Sequence, residues 1–497
     1  MFTSEILFLT ILVIILGYFW NNRRFWYLIW KIPKVAAFDM TYKNIYNYYF
    51  GNTKILFKVL ESLFERTKGI SIVKYFPVVM VNVVLPEDIK FVFNSKVCID
   101  KPRLMIDLCG LSEGTLFGKV KPWQAHRKVL NFYFTQQSLR SIIPIFNKRA
   151  KILMNNLSKS ESKGEFNVFH NMTALSLETI LSVMELEIDI QNLEEKDRDI
   201  FIKKIENKAS AVMLRIFKFW LHPDYLYSLS KIYEFERKAE VGCSFIFAPQ
   251  VVENIREKLK NDENNNNEYE KPKTFIRAFL DPKNNFTEHE IFDEIKTLIV
   301  AAQDTSAVAT SSTLLLLGMF KDKQEKVVEE LRQILGNFNE NENLDIEQLN
   351  ELKYLEMVIN ESMRLMPVVP LVGRRNLQEI TLSEGYTIPI NSTLMIPIFK
   401  IHRSKEFWGD DADKFKPERF EPEEFKKIHP YVFIPFAKGP RMCLGWRYAM
   451  YLMKIQLARI LLKYEIDTSL KLEELEYKFS VSLNVCQGYK ISIKKRE

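Results

Sequence analysis

The stretch FAKGPRMCLG, residues 436–445, is the most informative part of this chain. It places Cys443 in a loop that glycines flank, two residues after Arg441, and an apolar run from Trp446 to Tyr464 follows directly. A thiolate is the soft, charged ligand that haem iron accepts, and thiolate ligation allows a haem to cleave dioxygen. A cysteine at the start of a helix also lies where the helix dipole favours the thiolate over the thiol.

The residues around the cysteine decide the interpretation, because a single cysteine is more often a small buried apolar residue than a ligand. Gly439 and Gly445 let the backbone approach a flat cofactor or adopt a positive φ. Arg441 is suited to pair with a propionate, and Phe436 to cover the sulfur side of the ring. These residue types in this order resemble the haem-binding loop of the cytochrome P-450 family.

Length and composition are compatible with one large domain. The 497 residues are 47% hydrophobic, which supplies a sizeable core. A net charge of +7, from 70 basic and 63 acidic residues, is mild for this length, and no Lys/Arg-rich tract occurs. The chain therefore does not read as a nucleic-acid-binding protein.

The cysteines argue for a reducing compartment, since their number is odd and no CxxC spacing occurs. Apart from Cys443, we interpret them as core or surface residues: Cys98, Cys109, Cys243 and Cys486.

The N-terminus predicts a membrane anchor. Ile6 to Trp20 is almost unbroken in apolar residues, and Arg23 and Arg24 follow it, which places the N-terminus in the lumen and the rest in the cytosol. No basic residue precedes the segment and no small-residue cleavage site follows it, so a cleaved signal peptide is the less favoured alternative. The predicted division is a signal anchor over residues 1–24, a linker over 25–35 and a single domain over 36–497.

A long buried helix is predicted from Thr287 to Phe320. Thr287 and Glu290 fit a capping box, and no proline interrupts the segment. At 1.5 Å per residue the helix would be about 50 Å long, and its apolar middle must be buried.

The middle of that segment, AAQDTS at residues 301–306, contains a carboxylate that is costly to bury without a function. It resembles the A-G-x-D-T-T segment of the P-450 family, with Ala302 at the usual glycine position. The resemblance implies that Asp304 and Thr305 manage water and protons where dioxygen binds. The structural alternative for Thr305 is a hydroxyl bonded back to the preceding turn.

Three further segments resemble the family in the right order. Trp123 and Arg127, with Gly118 upstream, match its W-x-x-x-R helix, in which both side chains reach a haem propionate. Glu361 and Arg364 match its E-x-x-R helix. On their own, both patterns are common on ordinary helix surfaces.

The third segment is PERF at residues 417–420. In the family its arginine, here Arg419, interlocks with E-x-x-R and supports the loop before the cysteine. Between the E-x-x-R helix and PERF, residues 367–374 (PVVPLVGR) resemble the family's segment that passes the haem. Val369, Leu371 and Val372 are therefore candidate cavity residues. An ordinary loop and buried strand is an equally good interpretation of each.

Two departures refine the resemblance, which is closest to the clan of microsomal enzymes that contains fatty-acid ω-hydroxylases and many arthropod members. Ala301 replaces the glutamate that can become ester-linked to the haem in that clan. We therefore expect haem b (iron-protoporphyrin IX) bonded to the protein only through Cys443, and less support for ω-hydroxylation. The second departure is that the proline-rich hinge, which is common after the anchor in this family, is reduced to Pro33.

The resemblance implies a mainly α cytochrome P-450 fold: a helix-rich domain with a small β region, a long central helix and an N-terminal membrane anchor. It implies a haem-thiolate monooxygenase on the cytosolic face of the endoplasmic reticulum, oxidising a lipophilic small molecule. An NADPH-cytochrome reductase, and optionally cytochrome b5, would supply electrons, with Lys438, Arg447 and Lys128 as candidate docking residues. The alternatives are a haem-thiolate isomerase or dehydratase and a non-catalytic haem or lipid carrier.

Overall fold

The computed structural model describes residues 51–75, 78–108, 114–186, 188–241 and 275–496, with isolated positions among residues 12–32 and 253–257. The predicted anchor and linker fall largely outside these residues, as do Cys109 and Cys243. Within the described part of the chain, no helix combines the length and apolar character that a bilayer span requires.

The predicted mainly α architecture is confirmed. The helices, in chain order, are α1 Thr53–Arg66, α2 Pro86–Asn94, α3 Arg103–Leu108, α4 Val120–Tyr133, α5 Gln136–Arg140, α6 Ile143–Leu157, α7 Phe169–Val183, α8 Glu195–Phe217, α9 Asp224–Ser228, α10 Lys231–Val241, α11 Phe275–Leu280, α12 Glu288–Met319, α13 Lys321–Leu335, α14 Ile346–Glu351, α15 Lys353–Leu365, α16 Ile398–Arg403, α17 Lys405–Trp408, α18 Pro422–Phe425 and α19 Trp446–Lys463. Short 3₁₀ turns include Lys96–Cys98 and Pro417–Phe420.

The β structure is small and lies in separate sheets. The strands are β1 Ile70–Tyr75, β2 Val78–Val83, β3 Phe166–Asn167, β4 Val372–Arg375, β5 Ile380–Thr381, β6 Thr387–Ile388, β7 Thr393–Ile396, β8 Tyr464–Asp467, β9 Tyr477–Phe479, β10 Leu483–Val485 and β11 Lys490–Lys495. A four-stranded sheet has the order β1-β2-β7-β4, in which β2 and β7 are parallel. The others are the sheet β3-β11-β8 and the pairs β5-β6 and β9-β10.

The central helix α12 forms as the sequence predicts. Thr287 is its N-cap, and the capping box with Glu290 is present in both directions, at 3.2 Å from Glu290 N to Thr287 Oγ1 and 2.8 Å from Thr287 N to Glu290 Oε2. The helix has 32 residues, about 48 Å at 1.5 Å per residue. It packs against α7, α15 and α19, so that apolar side chains cover it on most sides.

Two apolar clusters hold the elements that carry the site. The larger one surrounds α12 and α19, and the smaller one surrounds the four-stranded sheet and includes Trp408 and Ile434. The loop 436–445 connects them, since Ile434 belongs to the second cluster and the helix that follows Gly445 belongs to the first. Its position is therefore fixed from both ends.

Candidate active site

The loop before α19 is closed by its own backbone. The Cys443 N–H donates to the Phe436 carbonyl at 2.9 Å, and the Met442 N–H donates to the Gly439 carbonyl at 2.9 Å. Gly439 has a φ of 75°, and a Cβ there would lie 2.1 Å from the Phe93 carbonyl oxygen. Only glycine fits this position, because any side chain would collide with backbone.

Gly445 does not adopt the positive φ that was one of the two alternatives for it. Its φ is −87°, and the nearest atom to an added Cβ is Phe134 Cε1 at 3.9 Å, so neither a positive φ nor a crowded protein backbone requires glycine here. It is the N-cap of α19, and its N–H bonds to the Cys443 sulfur. That contact, which the sequence pattern did not reveal, favours the thiolate.

Cys443 is a free cysteine in the described part of the chain. The side chain is exposed, yet protein surrounds the sulfur closely enough that burial raises the pKa of its thiol. The Gly445 N–H and the Arg127 guanidinium act in the opposite direction on that pKa. A coordinating metal ion would complete the ionisation, since it deprotonates a thiol outright.

Arg441 is held beside the cysteine by Trp123 and by backbone. Its guanidinium carbon lies 4.0 Å from the centre of the Trp123 ring, a distance typical of a cation–π contact. Its Nε donates to the Ile99 carbonyl at 3.2 Å and its Nη2 to the Gly118 carbonyl at 2.9 Å. Gly118 therefore contributes through its carbonyl, and Trp123 orients the arginine.

Arg374, at the end of the PVVPLVGR segment, is a member of this group that the sequence reasoning did not single out. It is 1% exposed, on strand β4, and its guanidinium lies 5.0 Å from the centre of the Phe93 ring. Burial lowers the pKa of Arg374 to about 10. Burial also lowers the pKa of Arg441 to about 9, helped by the charges of Arg374 and Arg127 and opposed by Asp100.

The arginines present unused hydrogen-bond donors. Among the described residues, Arg441 Nη1 and Arg374 Nη2 are buried and have no hydrogen-bond acceptor. The nearby carboxylate, Asp100, is paired with Arg375 through Oδ2, at 3.1 Å from Arg375 Nε, and its Oδ1 accepts no hydrogen bond from either arginine. Buried guanidinium groups need anionic partners, because an unpaired buried donor or charge is costly. This set fits a cofactor that brings carboxylates close to a metal ion held by Cys443.

Arg127 is less buried than Arg441 and Arg374, and its charge interacts with that of Cys443. Its Nε donates to Asn131 Oδ1 at 2.9 Å, burial lowers its pKa, and the Cys443 charge raises it. Trp123 and Arg127 thus lie one turn apart on α4, with Trp123 beneath Arg441 and Arg127 within electrostatic reach of the sulfur.

The central helix contributes Asp304 and Thr305. The Thr305 hydroxyl donates to the Ala301 carbonyl at 2.6 Å, which is the structural alternative that the sequence left open. The Asp304 carboxylate accepts a hydrogen bond from the Ser482 hydroxyl. Burial raises the pKa of Asp304 to about 6, and the Ser482 hydrogen bond opposes that shift. Ser482 is 178 residues away in sequence, and no local pattern indicated it.

Two of the three candidate cavity residues of the 367–374 segment lie in a loop and the third begins a strand, which is the ordinary arrangement named above as the alternative. Leu371 is 8% exposed, Val372 begins strand β4 and packs on the second apolar cluster, and Val369 is half-buried in the preceding loop.

Glu361 and Arg364 form a fully buried ion pair on α15. Two hydrogen bonds join them, 2.6 Å from Arg364 Nε to Glu361 Oε2 and 2.8 Å from Arg364 Nη2 to Glu361 Oε1. Arg364 also donates to the carbonyls of His402, Ala412 and Lys414, at 2.9, 2.7 and 3.1 Å. The pair is therefore a junction for distant backbone and not a surface decoration.

Arg419 joins this junction as predicted. Its Nε lies 3.6 Å from Glu361 Oε1, its Nη2 lies 2.7 Å from Asp411 Oδ1, and its Nη1 donates to the Trp408 carbonyl at 3.1 Å.

His402 connects the junction of Glu361 and Arg364 to the cysteine loop. It is a second residue that the sequence did not indicate. Its Nδ1 lies 3.3 Å from the Met363 carbonyl, and its Nε2 accepts the Ile434 N–H at 2.9 Å. Burial lowers the pKa of His402 to about 3, so the ring is neutral and serves both contacts. Ile434 stands two residues before Phe436, whose carbonyl receives the Cys443 N–H.

Comparisons with known proteins agree with this geometry. The family model described as Cytochrome P-450 matches residues 42–492. Probable cytochrome P-450 313b1 of Drosophila melanogaster is 30% identical, covering 98% of this chain and 98% of that protein. Probable cytochrome P-450 313a4 of the same organism is 28% identical over 96% of both chains, and Cytochrome P-450 4V2 of Mus musculus is 29% identical over 98% of this chain and 94% of its own.

These relatives confirm the expected clan, since they include arthropod proteins together with the mouse protein 4V2. The family uses haem b with a cysteine thiolate ligand, and its members are monooxygenases. An accessible cysteine, buried guanidinium groups with free donors and a carboxylate in the central helix are compatible with that cofactor. The chain belongs to the cytochrome P-450 family.

Proposed function

We propose that the protein inserts one oxygen atom from dioxygen into a lipophilic small molecule, using electrons from an NADPH-dependent flavoprotein reductase. The observation that carries the proposal is an accessible Cys443 in the same site as the buried, unpartnered donors of Arg441 and Arg374. Haem b, when bound, supplies the dioxygen chemistry, which thiolate ligation favours.

The residues of this chain divide the remaining tasks. Cys443 holds the iron, and the Gly445 N–H and the helix start stabilise its negative charge. Arg441 and Arg374 bind the propionates, with Trp123 orienting Arg441 and Arg127 adding positive charge near the sulfur. Phe436 and Gly439 shape the loop that carries the sulfur.

Asp304 and Thr305, on the central helix, would handle protons for the bound cofactor. The carboxyl of Asp304, with a pKa of about 6, exchanges protons readily near neutral pH. Thr305 donates to the Ala301 carbonyl and so leaves its own oxygen as an acceptor for a water hydrogen.

The same two residues argue against a peroxide isomerase or dehydratase, which needs no proton delivery. A carrier without catalysis is also not favoured, since such a protein has no use for a titratable carboxyl in a buried helix. The decisive experiment measures oxidised product from purified protein and reductase with a panel of fatty acids, terpenoids and insecticide-like compounds. Product must require both NADPH and reductase, and product formed from a peroxide substrate without reductase would contradict the proposal.

Three basic residues in the cysteine loop, at the start of α19 and on α4 are the proposed contacts for the reductase. Lys438 lies 5.7 Å from the Tyr431 ring centre and is half-buried, Arg447 lies 4.1 Å from the Trp446 ring centre, and Lys128 is exposed. Replacing Lys128 with Glu is expected to raise the apparent KM for reductase at low salt, and an unchanged KM would remove it from the docking face.

Attachment to the endoplasmic reticulum membrane is supported by exposed apolar side chains. In the N-terminal region these include Leu16, Trp20 and Trp30, and on α9 and after it they include Tyr225 and Leu229. Such residues favour a lipid surface over water. Recovery of the full-length protein in the supernatant after membrane sedimentation would contradict this localisation.

Replacing Arg374 with Gln is expected to weaken haem binding. The substitution removes a buried cation whose charge-assisted hydrogen bond to a propionate contributes about 1.5–3 kcal/mol, or roughly 10- to 150-fold in the haem dissociation rate. Haem transfer to apomyoglobin measures the rate. Arg140→Gln is the matched control, because that guanidinium is 58% exposed and paired with Glu347. Equal rates for both variants would show that Arg374 binds no propionate.

A further inference from the structure

The β9-β10 hairpin brings a fixed turn against the central helix. Its strands are antiparallel, with Phe479 opposite Leu483. The turn is closed by a 3.1 Å hydrogen bond from the Ser480 N–H to the Ser482 carbonyl, and the Leu483 N–H donates to the Val368 carbonyl at 2.8 Å. The tip of the hairpin is therefore held from two sides.

Ser482 uses this position to bind Asp304. Its hydroxyl donates to Asp304 Oδ2, and the Asn484 side-chain amide donates to the Ser482 oxygen at 3.0 Å. Ser482 is fully buried and Asn484 is 6% exposed. Because Asn484 supplies a hydrogen to the serine oxygen, the serine hydrogen is directed at the carboxylate. The three side chains form one chain of donors that ends on Asp304.

Charged groups around Asp304 come from several elements. Glu206 on α8 raises the pKa of Asp304, and Lys478 on β9 lowers it, next to the larger effects of burial and of the Ser482 hydrogen bond. Lys478 is the strand partner of Asn484. Tyr489 also senses the Asp304 charge, but burial raises the pKa of its phenol, which is therefore neutral in the physiological range.

We propose that Ser482 is a positioning residue for Asp304, holding the ionised carboxylate toward the hairpin until a proton from solvent water reaches it. This inference rests on the proton-handling role assigned to Asp304 in the proposed function. A neutral carboxylic acid accepts a hydrogen bond less strongly than a carboxylate. Protonation therefore weakens the contact with Ser482 and frees the carboxyl to turn and deliver the proton, after which the carboxylate returns to the hairpin.

The test compares Ser482→Ala with Ser482→Thr, which keeps the hydroxyl, and with Ser480→Ala, which alters the same turn without touching Asp304. The readout is the infrared carbonyl band of the protonated Asp304 carboxyl in the ferric holoenzyme, titrated with pH and assigned by subtracting the Asp304→Asn spectrum. Loss of a hydrogen bond that favours the charged form is expected to move the midpoint upward by about one pH unit in Ser482→Ala. The two other variants are expected to keep the wild-type midpoint.

A second readout is the fraction of consumed NADPH that appears as product and not as hydrogen peroxide. It is expected to fall several-fold in Ser482→Ala, to recover in Ser482→Thr, and not to fall further when Ser482→Ala is added to Asp304→Asn. An unchanged infrared midpoint in folded, haem-loaded Ser482→Ala overturns the inference. That titration needs no turnover, so it tests the Ser482 inference even if the enzyme does not use a reductase. A lack of dependence on reductase would overturn only the proposed function.

Discussion

Replacing Cys443 with Ser is expected to abolish monooxygenase activity, with a loss of at least about 100-fold, or roughly 2.7 kcal/mol of transition-state stabilisation. A serine hydroxyl retains the shape of the loop but has no accessible anionic form at neutral pH. The Gly445 N–H and the start of α19 would then have no negative charge to stabilise. Product formation per haem measures the effect, and the reduced carbon-monoxide spectrum shows the change of ligand.

Cys486→Ser is the matched control. Cys486 is a free, half-buried cysteine beyond strand β10, outside the site. It is expected to keep both the activity and the spectrum of the wild type. If Cys443→Ser kept the thiolate-type spectrum while Cys486→Ser lost it, the ligand assignment would be wrong.

Replacing Glu361 with Gln is expected to lower the free energy of unfolding by about 3–5 kcal/mol, the usual cost of leaving one member of a buried ion pair uncompensated. Both side chains of the Glu361–Arg364 pair are 0% exposed. Arg364 would keep its bonds to the carbonyls of His402 and Ala412 but would carry an unbalanced buried charge. Chemical denaturation of the haem-loaded protein, followed by haem absorbance and circular dichroism, measures the change.

Glu424→Gln provides the comparison for the same chemical change at the surface. Glu424 forms an exposed pair with Lys427, at 2.7 Å, and loss of such a pair changes stability by at most about 1 kcal/mol. Arg364 bonds to the His402 carbonyl, and the His402 ring accepts the Ile434 N–H just before the cysteine loop. Glu361→Gln is therefore also expected to release haem faster than Glu424→Gln. Equal unfolding free energies for the two variants would contradict the structural role of the pair.

The features predicted correctly are those that the sequence encodes locally. The central helix follows from the capping box at Thr287 and from an apolar segment free of proline, and both signals lie within the helix itself. The helix after the cysteine follows from an apolar run of the same kind. Gly439 is required by its φ and its contact with Phe93, and glycine in a loop before a helix indicates such a constraint.

The features that were missed depend on partners far away in the chain. Arg374 belongs to the site because it lies near Arg441 and Phe93, and His402 because it contacts Met363 and Ile434. Ser482 meets Asp304 because a hairpin anchored at Val368 reaches the central helix. Side-chain pairings of this kind follow from tertiary packing, and no periodicity or spacing in one sequence specifies them. For Gly445 the motif left two alternatives, a positive φ or a close approach to the cofactor, and the backbone does not adopt the first.

Cys443 is the residue that is expected to hold haem, through its thiolate. The most direct measurement is the absorption spectrum of the purified full-length protein after reduction and exposure to carbon monoxide. We expect the strongly red-shifted Soret band of a thiolate-ligated haem, in proportion to bound haem, and we expect Cys443→Ser to lack it. A freshly prepared, haem-loaded wild-type protein that shows only the unshifted band of a nitrogen-ligated haem would show that the Cys443 thiolate is not the ligand.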